Sequence, residues 1–208
     1  MSDPVTVTPV IAIAEPRRGR PGYDRRGVLE VAVQAFNEYG YDATSLGTLA
    51  GRLGLSKSAI YHHFSSKDQL LEAALEEALG ELEGVLTEPG ATSGRAADRL
   101  IFVLDRAVHV LVEKLPYVTL LLRLRGNTAV ERAALDRRRE FDRAVTALVV
   151  AARDAGELRD DIDPRIAERL LFGMINSIVE WYRPEGPEDA SRLAADVVAV
   201  AVDGLRIR

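Results

Sequence analysis

The sequence contains no cysteine, so it can form no disulfide and offers no thiolate for catalysis or for zinc. With three histidines it is too poor in imidazole for a His-rich metal site, and no metal or other cofactor is expected. It also lacks any run of about 18 apolar residues, the length that crosses a bilayer. The mildly apolar start, Val5 to Ala14, has Asp3 ahead of it and its basic cluster behind it, the reverse of a secretory signal. A cytoplasmic protein without a membrane partner is therefore expected. Strand-like alternation, hairpin turns between β-branched runs, internal repeats and low-complexity segments are missing as well. What is there is ordinary globular composition: 208 residues, 47% hydrophobic and 28% charged, with 16 Gly and 9 Pro. That excludes disorder and collagen, and leaves room for one or two domains, one of them a body of roughly 140 residues with a substantial core.

The net charge of -5 argues against wholesale coating of nucleic acid, but the balance is uneven. Residues 1–70 hold 8 Lys/Arg against 7 Asp/Glu, leaving 19 against 25 for the rest. Arg17, Arg18, Arg20, Arg25 and Arg26 fall within ten positions, interrupted by Gly19, Pro21 and Gly22. A flexible arm over residues 1–23 that lies against phosphates or in a minor groove has this composition, and so does a solvated tail.

From Asp24 onward the pattern is helical, which makes the fold class all-α with about nine helices. The first, 24–39, places Val28, Val31, Ala32, Ala35 and Phe36 on one face and stops at Gly40. Thr44 is the expected N-cap of a second helix ending near Gly54, and Ser56 that of a third reaching His63. Ser66 and Gln69 form a capping box opening a long fourth helix, whose seam is Leu71, Leu75, Ala78, Leu82 and Val85. The segment Glu88 to Gly94 reads as a loop. Five more helices follow, over 95–114, 116–125, 128–155 (capping box Thr128/Glu131), 164–182 (opened by Asp163-Pro164) and 187–205 (opened by Pro187). The last two carry apolar residues on more than one face, so each needs a second neighbour, and a second subunit can supply it. The expected organisation is the arm, a unit over 24–70 and a helical body over 71–208.

Thr44 to Lys67, TSLGTLAGRLGLSKSAIYHHFSSK, reads as a helix-turn-helix. Leu46, Leu49, Ala50, Leu53, Leu55, Ile60 and Phe64 are spaced to hold its two helices together. Ser56, Lys57, Ser58, Tyr61 and His62 are left to point outward, as groove entry demands. A helical hairpin within a core has the same spacing, but a short turn unit seldom carries so many exposed donors.

From Val28 to Leu71 these residues, above all YHHFSSK, resemble the N-terminal domain of TetR-family transcriptional regulators. The resemblance implies a homodimer that binds a palindromic DNA operator and is released by a small molecule. It also implies roles: Thr44 on phosphate, Lys57 and Ser58 facing the groove, Tyr61 and His62 on backbone or bases, with Ser56 a further DNA-contact candidate. Lys67 would meet phosphate at the fourth helix's N-terminus. Gly47 departs from the family, which has a polar side chain there, and Gly51 follows one turn later. Each costs ~1 kcal/mol of helix stability relative to Ala. Close approach of the first helix or of a phosphate would account for such a glycine.

Trp181-Tyr182-Arg183-Pro184, followed by Gly186, is similar to TetR-type regulators that respond to CoA thioesters. An effector with phosphates at one end and an acyl chain at the other would suit polar residues set among apolar ones. Arg106, His109, Arg123, Asn127, Asn176 and Trp181 are the candidates. His109, one turn after Asp105, also fits a helix-stabilising pair, Trp181 also fits a packing interface, and Arg137, Arg138 and Arg139 read as a solvated face. The competing class is an all-α enzyme or carrier, but HExxH, GxSxG and P-loop motifs are all missing. His62 and His63 diverge by ~100° and cannot readily share a metal.

Overall fold

Short polar side chains decide where most helices begin. In the computed structural model, which describes residues 24–206, Asp24 accepts the Gly27 N–H (2.7 Å) and opens α1 (Arg25–Tyr39). Gly40, at φ +87°, then turns the chain away. Ser45, not Thr44, caps α2 (Leu46–Leu53), its Oγ accepting the Thr48 N–H at 3.0 Å. Both residues carry a hydroxyl, but Thr44 is only 1% exposed and donates its own to the Gly40 carbonyl at 2.8 Å. Ser56 caps α3 (Lys57–His63) and Ser66 caps α4 (Lys67–Val85). Gln69 completes the box one residue earlier than the pattern implies, accepting the Ser65 N–H at 2.6 Å.

The expected loop at 88–94 contains α5 (Pro89–Thr92), a single turn with Pro at its start. Gly90 is required there, because a Cβ would overlap the Phe102 ring. Then come α6 (Ala96–Glu113), α7 (Leu115–Leu122), α8 (Ala129–Asp154), α9 (Pro164–Trp181) and α10 (Ala190–Leu205). Asp189 rather than Pro187 opens α10, accepting the Arg192 N–H at 2.9 Å. Among the described residues there are ten α-helices and no strand, so the all-α reading is borne out and the helix count rises by the one-turn α5.

One continuous core runs through the chain. In the N-terminal head Val28, Ala32 and Phe36 of α1 meet Leu49, Leu53, Ile60 and Phe64, all buried. The buried seam of α4, from Leu70 to Leu79, passes from this head into the body. There α6 is central, packing against α4, α5, α8, α9 and α10. The head also rests on the body directly, through α1 against α7.

Candidate nucleic-acid interface and effector cavity

Gly54 makes the tight turn of the α2–α3 unit. At φ +63° it lets the Leu55 N–H return to the Ala50 carbonyl (3.0 Å), the left-handed closure that glycine adopts most readily. Ile60 and Phe64 fix α3 to the core and are fully buried. Ser56, Lys57, Ser58, Tyr61 and His62 are exposed, so α3 presents two hydroxyls, a cation, a phenol and an imidazole on one side. Hydroxyl, imidazole and ammonium groups on a projecting helix can bond base edges and phosphates.

Gly47 lets the Lys57 side chain lie across the start of α2, because a Cβ there would stand 3.0 Å from Lys57 Cε. The close neighbour within the chain is thus Lys57 of α3 rather than α1; nothing in the structure explains Gly51, which faces open space. Arg25 lies 4.5 Å from the centre of the Phe64 ring, beside the same surface. Lys67 is half-buried and donates to the Tyr41 carbonyl at 2.9 Å, with Nζ 4.1 Å from the Tyr41 ring centre. Tyr41 in turn donates to Asp68, and burial and that carboxylate push its phenol up. The assignment of Thr44 to a phosphate fails, since its side chain is buried and spent on Gly40; Ser45 and Thr48 hold the exposed start of α2. Arg17, Arg18 and Arg20 lie outside the described residues.

The six expected effector residues are not brought together. Asn176 lines a small, mostly apolar chamber of about 30 Å³ with Leu82, Leu111 and Phe141, and also the wide cleft of about 1010 Å³ between α8 and α9. Arg123 and Asn127 belong to the junction of head and body: Arg123 donates to the Asn37 carbonyl (2.7 Å) and Asn127 to Asp42 (3.2 Å). Glu131 holds this corner, its buried carboxylate accepting the N–H groups of Arg125, Gly126 and Asn127 at 3.1, 2.8 and 3.0 Å. Arg106 faces Glu88 at 3.5 Å and His109 faces Asp105 at 3.8 Å. Trp181 is half-exposed at the end of α9, on a stripe with Ile166 and Leu170.

The arginine run on α8 is not one solvated face. Arg139 pairs with Asp136 at the surface, but Arg137 binds Glu83 of α4 through two bonds of 2.8 Å and Glu76 through a third of 2.7 Å. That pairing holds the Glu83 carboxyl below its ordinary range. Arg138 lines both chamber and cleft, together with Asp142 and Phe172. Glu168, which no pattern in the sequence singles out, faces the cleft while only 7% exposed. Burial pushes its carboxyl up, and so does neighbouring Asp142, itself raised by burial.

One further surface is apolar without cover. Along α9, Ile166, Leu170, Gly173, Ser177 and Trp181 recur every three or four residues and are exposed, Leu170 at 66%; on α10, Val200 is 65% exposed.

Two family models match this chain: "Bacterial regulatory proteins, tetR family" over residues 28–74, and "Tetracyclin repressor-like, C-terminal domain" over residues 93–205. The crystal structure of SCO3833, a TetR regulator of Streptomyces coelicolor A3, is 52% identical with a TM-score of 0.82, over 86% of this chain and 91% of that one. The HTH-type transcriptional repressor KstR2 of Rhodococcus jostii is 26% identical, over 92% of this chain and 95% of that protein. AibR, solved in complex with isovaleryl coenzyme A and operator DNA, shares the fold at 20% identity (TM-score 0.69; 85% and 96% covered).

Proposed function

The chain belongs to the TetR family of bacterial regulatory proteins, and from that membership we propose that it is a homodimeric repressor whose α3 grips a palindromic operator until a small molecule enters beside α8 and α9. As a ligand-responsive transcriptional repressor it is not an enzyme, and the carrier reading falls with the enzyme one. The observation that carries the proposal is the division of α3: Ile60 in the core, and Ser56, Lys57, Ser58, Tyr61 and His62 exposed together on a helix projecting from a rigid turn. Short hydroxyl residues at its leading end allow close approach to bases, while Lys57 and Arg25 supply phosphate attraction. Lys67, held by Tyr41, keeps spare N–H donors for a phosphate.

A two-fold dimer through the bare stripe of α9 and Val200 of α10 would present two such heads, and the operator would then repeat in inverted half-sites about one helical turn apart. Release follows from the lever that α4 makes. Leu82 of α4 lines the chamber, and Lys67 begins the same helix in the head, 15 residues or ~22 Å away. A ligand that opens the chamber displaces Leu82 and strains the Arg137–Glu83 tie, which moves the head. A ~100-fold preference of the effector for that displaced state is worth ~2.7 kcal/mol per site. Support for an acyl-CoA effector comes from AibR, bound to isovaleryl coenzyme A and operator DNA, and from the WYRP resemblance.

Selection of bound duplexes from a random-sequence library tests this reading. Enrichment of a palindrome with half-site centres about 10 base pairs apart is expected. Recovery of no consensus, or of a single asymmetric site, would overturn it.

A further inference from the structure

At the start of α2 the Lys57 side chain fills the place where any residue but glycine would put its own. A Cβ on residue 47 would stand 3.0 Å from Lys57 Cε, 3.4 Å from its Nζ and 3.4 Å from Ser45 Oγ, so the amine and the hydroxyl flank a space that Gly47 leaves open. Lys67 donates to the Tyr41 carbonyl and Lys114 to Glu77, but Lys57 is exposed and has neither a hydrogen bond nor an ion pair among the described residues. Its surroundings are electrically unfavourable. It sits in the first turn of α3 and lies across the first turn of α2, two positive helix ends, and neither turn carries an acidic residue. A cation held there without a counter-charge is relieved by an anion from outside the chain.

Resting on the reading of α3 as the helix that grips DNA, we infer that Gly47 is a positioning residue. It lets Lys57 fold back against α2, so that the ammonium meets a backbone phosphate beside Ser45 and leaves the base edges to Ser58, Tyr61 and His62. Laid on Gly47, the lysine stem has given up part of its rotamer freedom before DNA arrives. A side chain at residue 47 would push the lysine off α2, and the phosphate contact would then have to order it during binding.

Gly47→Ala separates fold from binding, because its effects on the two differ in sign. Melting reports the fold, and anisotropy with a labelled random-sequence duplex at several salt concentrations reports the contact without any need of an operator. Gly47→Ala should melt at the wild-type temperature or up to ~4 °C above it, since alanine favours a helix over glycine and the flexible lysine can give way. It should nevertheless bind ~3- to 10-fold more weakly at low salt, with the salt slope reduced by up to ~1 unit, which a purely structural role would not move. In a Lys57→Ala background the same substitution should change affinity less than ~2-fold, because the cation it displaces is gone. Wild-type affinity in Gly47→Ala, a lowered melting temperature, or an equal loss with and without Lys57, which would mean that the methyl group itself blocks the phosphate, would each overturn the inference alone. A wild-type chain that binds no duplex at any salt would overturn the repressor reading, and the inference with it.

Discussion

If α9 and α10 join two copies, replacing Leu170 must weaken the dimer by an amount its exposure fixes. Complete burial of a leucine side chain is worth ~1.5–3 kcal/mol. Leu170 is 66% exposed in the single chain, so the partner can cover about two-thirds of it, worth ~1–2 kcal/mol. Two-fold symmetry makes every substitution count twice, so Leu170→Ala should cost ~2–4 kcal/mol of association, a dissociation constant raised roughly 30- to 700-fold. Leu170→Asp should do more, because each copy would bury an unpaired charge. Neither change touches the monomer's core, so helix content at low temperature should be unchanged. Sedimentation equilibrium over a range of protein concentrations measures the constant, and circular dichroism checks the fold. A wild-type monomer at micromolar concentration, or a Leu170→Asp variant that dimerises as well as wild type, would refute the reasoning.

Three further outcomes follow from particular contacts. Gly90→Ala should lower stability by ~1–3 kcal/mol in urea unfolding, because the new methyl overlaps the Phe102 ring and α5 must lift from α6. Arg137→Met should cost ~1 kcal/mol at pH 7, a small value because Arg137 and Glu83 are each about a third or more exposed. Glu83 is held below the ordinary carboxylate range, so its contribution is present above the ordinary value of 4.5 and lost as pH falls through the depressed value; the two melting curves should converge once the pH lies below that depressed value. Lys57→Ala should weaken specific and random DNA alike and reduce the salt dependence by ~1 unit, as measured by anisotropy at several salt concentrations.

The helices were legible because their caps are local. Asp24, Ser56, Ser66, Thr128 and Asp163 each bond an N–H two or three residues on, and a reader of the sequence needs nothing else to place them. Thr44 and Ser45 were not separable that way, because a tertiary turn at Gly40 claims the threonine. The outward face of α3 was legible for the same reason as the helices: a seven-residue helix with Ile60 inward leaves few positions to assign. The effector residues were not, since Arg123 and Asn127 are set by how the end of α7 meets α1, contacts about 85 positions apart in the chain. Glu168 is one charge among several on an amphipathic helix, and only the packing of α8 against α9 buries it.

The central claim is that α3 reads DNA, and an anisotropy titration of one operator duplex against its scrambled counterpart addresses it most directly, with wild type and the variant Ser58→Ala/Tyr61→Ala/His62→Ala side by side. Wild type should favour the operator by at least ~10³-fold, and the variant should lose that preference while keeping its helix content and its dimer. Equal affinity of wild type for the two duplexes, or full operator preference in the variant, would contradict the claim.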